Sequence, residues 1–292
     1  MANQGPWHKG PANKEAQPAE DGLAVDSATL AVADRVVLRE LSLRVPLGET
    51  HVIFGPNGAG KTTLLAGLIG MPHVKVVWGD LRWRGASLLG LDISERVRRG
   101  LALAFQRPPA VSGITLRRLA ELIISSNGNG GATGAEAAEQ IQQRILTLAE
   151  RLDVLDLLDR DVNAGFSGGE TKRSEIFQVA LQNPQLVLLD EPESGVDVVN
   201  MDRIGRMIRS LLQRDEKPAN RSVTGLIITH SGYILNYVNA DCGHVLADGR
   251  IICSGNARDV FEHIHEHGFD ACAHCPPCSF AVRLAPARDA DP

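Results

Sequence analysis

Apolar residues recur along the chain in patterns that predict strands of two kinds. From Ala28 to Val45, apolar and polar residues alternate, which predicts antiparallel strands with one buried face. The segment 78–83 predicts another strand pair. The segment 51–54, which is apolar after His51, predicts a buried strand, and the short apolar run at 186–189 predicts a strand buried on both faces, as in a parallel sheet.

Other apolar residues have helical spacing. A helix is predicted at 62–69, and two more within 106–165 are indicated by two groups of residues, Leu116, Leu119, Leu122 and Ile123, then Ile141, Ile145, Leu148 and Leu152. Serine, asparagine and glycine at 125–131 predict a loop between these two helices. Helix and strand alternate again from Phe166 onward, which implies a parallel sheet with right-handed crossovers.

These patterns divide the chain into four parts. Residues 1–21 are rich in proline, asparagine, glycine, alanine and charge, without periodicity, and are predicted to be a disordered N-terminal tail. Residues 22–105 and 166–270 form a predicted α/β core, and 106–165 form an inserted helical subdomain. Residues 271–292 form a C-terminal tail that contains cysteine.

A glycine-rich segment connects the strand at 51–54 to the helix at 62–69. Its glycines allow a tight turn whose backbone N–H groups point at phosphates, and the helix N-terminus adds partial positive charge. Lys61 would then reach the β- and γ-phosphates, and the Thr62 hydroxyl would hold Mg²⁺. The alternative is a glycine-rich turn that binds nothing, which the flanking strand and helix disfavour. The predicted ATP-binding residues are Gly55, Pro56, Asn57, Gly58, Ala59, Gly60, Lys61, Thr62 and Thr63.

Two carboxylates follow the second buried run. Asp190 ends the predicted strand at 186–189, where it can hold the Mg²⁺ of a P-loop ATPase, and Glu191 comes next, placed to polarise the attacking water. A solvated acidic turn is the alternative for this pair taken alone. The phosphate-binding segment upstream favours the catalytic interpretation.

The stretch 166–170, Phe-Ser-Gly-Gly-Glu, resembles the signature of the ABC ATPase family, which usually reads Leu-Ser-Gly-Gly-Gln. The resemblance implies an α/β P-loop ABC-type nucleotide-binding domain with an antiparallel β subdomain and an inserted α-helical subdomain. In that family the N–H groups that correspond to Ser167, Gly168 and Gly169 bind the γ-phosphate of ATP held by the other subunit. The resemblance therefore implies an ATP-dependent self-dimer that hydrolyses ATP to ADP and phosphate.

Three more residues match motifs of this family. Gln106 resembles the Q-loop glutamine, Asp197 lies in a segment that resembles the D-loop (194–197), and His230 resembles the switch histidine. Taken alone, His230 would more often be an ordinary residue at a strand end. With the family's pattern, the expected catalytic residues are Glu191, His230 and Gln106. The expected Mg²⁺ ligands are Thr62, Gln106 and Asp190.

One branch of the family fits the signature region most closely. Residues 165–173, with Phe166, Glu170 and a following basic pair, resemble SufC-like ATPases of the Suf iron–sulphur cluster assembly system, and the resemblance covers about residues 23–270. It implies a Suf-type scaffold partner (SufB/SufD-like). Thr171 departs from this branch, as does Pro192, which is typical of transporter ATPases. The alternative function is the ATP-binding subunit of a membrane ABC transporter.

Composition narrows the class of protein. The chain has 292 residues, of which 22% are charged, and its net charge of −5 disfavours a general nucleic-acid binder. No apolar run approaches the ~18 residues of a membrane span, and the N-terminus lacks the apolar core of a secretion signal. We therefore expect a cytoplasmic protein without a direct membrane span and without a nucleic-acid partner.

The C-terminal tail carries a second candidate site. Cys272, Cys275 and Cys278 are three of the five cysteines, and their two-residue gaps suit thiolates that converge on zinc or on an iron–sulphur cluster. His274, Cys253 or a cysteine of a second subunit would complete such a site. A reduced disordered tail and a redox-active disulfide are the alternatives. Cys242 and Cys253 are expected in or near the core as small apolar residues.

Recognition of adenine is expected to be weak. Many ABC ATPases stack an aromatic side chain on the base, at a position that corresponds to the neighbourhood of Val32. No aromatic residue lies between Trp7 and Phe54. Loss of stacking removes about 1–3 kcal/mol per base.

Overall fold

The computed structural model describes residues 22–126 and 135–274, in which strands and helices alternate as an α/β fold. The strands are β1 Gly22–Val32, β2 Arg35–Pro46, β3 Thr50–Phe54, β4 Val74–Trp83, β5 Ala86–Ser87, β6 Leu101–Ala104, β7 Val111–Thr115, β8 Asp161–Val162, β9 Leu186–Asp190, β10 Thr224–Ile228, β11 Cys242–Ala247 and β12 Arg250–Gly255. The helices are α1 Lys61–Ile69, α2 Ile93–Arg98, α3 Leu116–Ser126, α4 Ala135–Arg151, α5 Gly168–Leu181, α6 Val198–Leu211, α7 Ala257–His267 and α8 Phe269–His274.

An antiparallel sheet with strand order β2-β1-β4-β5 contains the alternating segment. The predicted antiparallel pairing is confirmed, although β1 begins at Gly22, before the region where alternation is evident. The predicted strand pair at 78–83 is wrong, because this segment is the second half of the single strand β4. Trp78 points to solvent from this strand, with 71% of its surface exposed.

A six-stranded sheet with order β12-β11-β3-β10-β9-β6 forms the centre of the molecule. The pairs β11–β3, β3–β10, β10–β9 and β9–β6 are parallel, and β12 is antiparallel to β11. The predicted parallel sheet is therefore confirmed. Since parallel strands end at a common edge, β3, β9 and β10 deliver the residues that follow them to one place.

The short apolar strands are buried because each serves two cores. Along β3, Val52 and Phe54 pack into the core beside the helical insert, whereas Ile53 packs against the antiparallel sheet and α1. Along β9, Leu189 packs into the first of these cores and Leu188 packs into the second. Side chains alternate across a strand, so a central strand that faces two cores has consecutive apolar residues, as at 52–54 and 186–189.

The helical insert contains the two predicted helices. Leu116, Ala120 and Ile124 are buried on α3, which is the i, i+4 spacing of one helix face. The prediction for Leu122 is wrong: it lies off that face and is 46% exposed. Ser125 also belongs to α3, so the predicted loop starts later, and its remainder at 127–131 lies outside the described residues.

The two ends of the chain extend beyond the described residues. The predicted tail 1–21 and residues 275–292 lie outside them. Residues 271–274, which the sequence analysis assigns to the C-terminal tail, are the end of α8, and Cys272 is part of the hydrophobic core. Within the described ranges, no helix combines the length and the apolar character required to cross a bilayer.

Candidate active site

The glycine-rich segment turns between β3 and α1 as predicted. Gly60 precedes the helix with φ 103°, a left-handed conformation that favours glycine. At Gly55, an added Cβ would lie 2.2 Å from the carbonyl oxygen of Leu246, so only glycine fits there. Lys61 opens α1 and donates from Nζ to the carbonyl oxygens of Gly55 (2.8 Å) and Pro56 (3.0 Å). The backbone of the segment thus wraps around the side chain of Lys61. It lies at the N-terminus of a helix, a position that favours the binding of anions.

Asp190 has the environment of a magnesium ligand. It is buried at the end of β9, and its Oδ1 has no hydrogen-bond partner among the described residues. Burial raises the pKa of Asp190, an effect that a hydrogen bond with Thr62 opposes. An unsatisfied carboxylate oxygen beside a hydroxyl oxygen is the hard donor set that Mg²⁺ prefers, so these residues fit the ion.

Glu191 brings the three predicted catalytic residues together. Its backbone has φ 46°, a strained conformation of the kind found at active sites, and its N–H donates to the carbonyl of Ile228 at 3.0 Å. Its Oε2 accepts from Gln106 Nε2 at 2.5 Å, and its Oε1 lies 3.3 Å from His230 Nδ1. One carboxylate therefore contacts a residue from each of two separate segments.

These groups line a cleft of about 500 Å³. Its described lining residues are Val37, Asn57, Gly58, Gly60, Lys61, Thr62, Thr63, Gln106, Glu191, Ser194 and His230. None of these described residues is a phenylalanine, a tyrosine or a tryptophan. Val37 on β2 supplies an apolar side chain to the lining of this cleft. It lies across the β1–β2 turn from Val32, the position near which many ABC ATPases have the aromatic residue.

The signature residues form the N-terminus of α5, and the side chain of Glu170 completes the cap of this helix. Ser167 caps α5: its hydroxyl accepts from Glu170 N (3.3 Å), and Glu170 Oε2 accepts from Ser167 N (2.7 Å). Arg160 donates to Glu170 at 2.6 Å and lies 4.4 Å over the ring of Phe166. The backbone hydrogen bond from Ser167, followed by that from Arg160, lowers the pKa of Glu170. Phe166 and Glu170, the two unusual signature residues, thus share one arginine.

The two signature glycines pack against the segment that resembles the D-loop and against the start of α6, which follows it. An added Cβ on Gly168 would lie 2.2 Å from the carbonyl oxygen of Gly195, and one on Gly169 would lie 2.6 Å from the side chain of Asn200. Asp197 fixes Asn200 by accepting from its backbone N (2.9 Å) and its Nδ2 (2.7 Å). The described residues that line the ATP cleft do not include 167–169.

Sequence reasoning missed a buried ion pair that holds the Q-loop. Lys172 Nζ donates to the carbonyl oxygens of Phe105 (2.7 Å) and Gln106 (2.9 Å), and it lies 3.5 Å from Glu175. Glu175 accepts from the backbone N–H of Phe105. Burial raises the pKa of Glu175 to about 7, against the opposing charge of Lys172. The sequence signal that could have revealed this ion pair is the presence of charged residues on a helix that packs into the core.

Glu193 was also missed. It is buried, and its Oε1 accepts from Ser231 Oγ at 2.9 Å and from the hydroxyl of Thr229. Burial raises the pKa of Glu193. The two hydroxyls flank His230, so Glu193 fixes the segment that carries this histidine. No sequence pattern distinguishes Glu193 from an ordinary loop carboxylate.

Known proteins with similar sequences agree with this geometry. The family model described as ABC transporter matches residues 38–194. The probable ATP-dependent transporter SufC of Escherichia coli K12 is 37% identical over 251 residues, which cover 85% of this chain and 97% of that protein. A probable ABC transporter ATP-binding protein of Streptococcus pyogenes serotype M3 is 34% identical over 239 residues, which cover 80% of this chain and 89% of that protein.

Solved structures agree on the fold. A nucleotide-free ATP-binding cassette from an ABC transporter has a TM-score of 0.68 and 23% identity, covering 88% of this chain and 99% of that chain. The chain belongs to the ABC ATPase family. It is an ATP-hydrolysing enzyme that uses ATP and Mg²⁺. In the cleft described above, residues of the predicted phosphate-binding segment lie beside Gln106, Glu191 and His230.

Proposed function

We propose that this chain is a cytoplasmic SufC-like ATPase subunit, which couples ATP-driven dimerisation to iron–sulphur cluster assembly on a Suf-type scaffold (SufB/SufD-like). The observation that carries the proposal is the 37% identity to the Escherichia coli protein named SufC, over 97% of that protein. The arginine-braced signature with Phe166 and Glu170 supports it, because these residues mark the SufC-like branch.

Each residue of the cleft has a proposed role in hydrolysis. Backbone N–H groups of 55–63 and the ammonium of Lys61 bind the phosphates. Thr62, Asp190 and Gln106 hold Mg²⁺, which neutralises charge on the phosphates when bound. Glu191 polarises the attacking water.

Gln106 and His230 keep the Glu191 carboxylate in position. Both contact this carboxylate, one at each oxygen, which limits its rotation. His230 is half exposed and also reaches the cleft where the γ-phosphate would lie.

Dimerisation is proposed from the position of the signature. Ser167 and Gly168 are exposed, and the ATP cleft of their own chain is lined by other described residues. The N–H of Gly168 and the hydroxyl hydrogen of Ser167, at the start of α5, can therefore bind a phosphate presented by a second subunit. A cassette with the same fold (TM-score 0.67, 20% identity, covering 81% of this chain and 99% of that chain) is described as dimeric.

A pull-down of the native, full-length protein tests the choice of partner. The proposal predicts a cytosolic complex with a β-rich scaffold protein, identified by mass spectrometry, and stronger recovery in Mg-ATP for Glu191→Gln. Recovery only from membranes, with an integral membrane protein as the partner, contradicts it.

The second candidate function is the ATP-binding subunit of a membrane ABC transporter. It is supported by the Streptococcus relative, which is named as an ABC transporter ATP-binding protein, and by Pro192. The same pull-down separates the two candidates, since hydrolysis of ATP is common to both.

A metal or iron–sulphur role for the cysteine tail stands as a separate proposal. Cys272 is only 5% exposed and packs in the core, so its thiolate would require α8 to shift. Cys275 and Cys278 lie outside the described residues. Elemental analysis of anaerobically purified protein, compared with the Cys275→Ser/Cys278→Ser variant, decides it. Equal metal content in the two proteins would refute the proposal.

A further inference from the structure

Three side chains that favour transition metals meet outside the ATP cleft. His51 lies on β3, and Cys242 and His244 lie two residues apart on the neighbouring strand β11. Cys242 is the register partner of His51 in this parallel pair. One nitrogen from each histidine and the cysteine Sγ all lie within 4.8 Å of one another. The period of two along a strand thus puts all three donors on one face.

The hydrogen bonds of the two histidines orient their rings toward each other. His51 Nδ1 lies 2.9 Å from His244 Nε2. The outer nitrogens have other partners, Glu49 Oε2 at 2.9 Å for His51 and Ser254 Oγ at 2.7 Å for His244. Metal-binding histidines usually make such an outer hydrogen bond to a carboxylate or another polar group, because it fixes the tautomer and the ring orientation.

Burial separates this cluster from an ordinary surface group of histidines. His51 is 4% exposed and His244 is 6% exposed. Cys242 is half-buried and gives the cluster access to solvent.

We propose that His51 Nδ1, His244 Nε2 and Cys242 Sγ bind one Zn²⁺ ion, with the fourth position taken by water. Two imidazole nitrogens and one thiolate suit zinc, at about 2.0–2.1 Å and 2.3 Å. Glu49 and Ser254 act as positioning residues. The ion would join β3, which leads into the phosphate-binding segment, to β11.

The protons of the three ligands can all be accounted for when zinc binds. Without an ion, one of the two facing nitrogens must carry the hydrogen of their mutual bond. When zinc binds, that ring moves its proton to its outer nitrogen. Glu49 can accept a hydrogen bond from that proton on His51, and Ser254 can do so for His244 because a hydroxyl both donates and accepts. Cys242 releases its proton to solvent as the Zn–S bond forms.

Zinc titration of the full-length protein, stripped with a chelator, tests the proposal. Cys242→Ser is compared with Cys253→Ser, a matched control that removes another half-buried cysteine, next to Ser254 on β12. Wild type and Cys253→Ser should bind one equivalent of Zn²⁺ that Cys242→Ser loses. All three proteins carry Cys275→Ser and Cys278→Ser as well, so the tail, which Cys253 could otherwise help to ligate, holds no zinc in the comparison.

Cobalt substitution supplies a second readout. Co²⁺ bound at this cluster should give thiolate-to-metal absorption that is absent in Cys242→Ser. Glu49→Gln, at a partly exposed carboxylate, should keep this absorption but weaken Zn²⁺ binding about 10–100-fold. Equal zinc stoichiometry and affinity in wild type and Cys242→Ser overturns the proposal and leaves a hydrogen-bonded histidine pair.

Discussion

Gln106 donates its side-chain amide to Glu191 at 2.5 Å, across 85 residues of sequence. Gln106 follows β6 at the start of the helical insert, whereas Glu191 follows β9 in the central sheet. The bond therefore couples the position of the insert to the carboxylate proposed to polarise water. Lys172 adds to this coupling, because it holds the backbone of Gln106 from the signature helix.

The first prediction separates catalysis from binding. Glu191→Gln should bind ATP with near-normal affinity, since the phosphate contacts come from 55–63. Its turnover should fall about 10²–10³-fold, because the amide cannot act as a base. Steady-state phosphate release and equilibrium binding of a fluorescent ATP analogue measure the two quantities.

Lys61→Ala is the matched comparison for Glu191→Gln. It should lose nucleotide affinity, because it removes a charge from the β- and γ-phosphates. Near-normal turnover of Glu191→Gln would remove this carboxylate from the mechanism.

The second prediction concerns the dependence of stability on pH. The pKa of Glu175 is about 7 in the fold, above its ordinary value of 4.5, so the folded state retains a proton that the unfolded chain releases. The contribution of Glu175 to the free energy of unfolding is therefore greatest below pH 4.5 and falls as pH rises through about 7. Relative to Glu175→Gln, wild type should lose up to about 3 kcal/mol across this window.

Chemical denaturation at several pH values measures this difference. Glu139→Gln, which changes an exposed carboxylate on α4, should follow wild type throughout. A constant difference between wild type and Glu175→Gln from pH 4.5 to 7 would show that Glu175 has no raised pKa.

The third prediction concerns the contact between the signature and the D-loop. In Gly168→Ala, the new methyl group would lie 2.2 Å from the carbonyl oxygen of Gly195, so the start of α5 must move by about 1 Å. A displacement of this size costs about 10²-fold in rate when it affects a reacting group. ATP binding to the monomer should change little.

Thr171→Ala is the control for Gly168→Ala. It lies one turn further along α5, where alanine has a higher helix propensity than threonine. Its ATPase rate should match wild type. A Gly168→Ala protein with full ATPase activity would show that the signature does not need this close packing.

Residues close together in sequence made most of the fold predictable. Burial on both faces favours consecutive apolar residues, so β9 was predictable from 186–189 and β3 from Val52, Ile53 and Phe54. The phosphate-binding turn was readable because glycine, lysine and threonine meet its local demands at fixed spacing. The limits of the strands were less predictable. β1 extends beyond its alternating region, and on β4 the apolar residue Trp78 points to solvent.

Contacts between residues far apart in sequence were not predictable where no family motif marks both residues. The contact of Lys172 with the Q-loop depends on how α5 packs, and nothing local to either segment specifies it. The cluster of His51 and His244 arises only because β3 and β11 are neighbours in the sheet. The role of a single buried polar residue cannot be inferred from the sequence until its hydrogen-bond partner is known.

Light scattering of Glu191→Gln tests most directly the claim that the active site is completed by a second subunit. Without nucleotide the mass should be that of one chain, 31.4 kDa, and saturating Mg-ATP should double it. Adding Gly168→Ala to the same protein should restore the single-chain mass in Mg-ATP, because the signature can no longer dock on the γ-phosphate. A dimer that is equally stable with and without Mg-ATP, or one that Gly168→Ala leaves intact, would contradict the account.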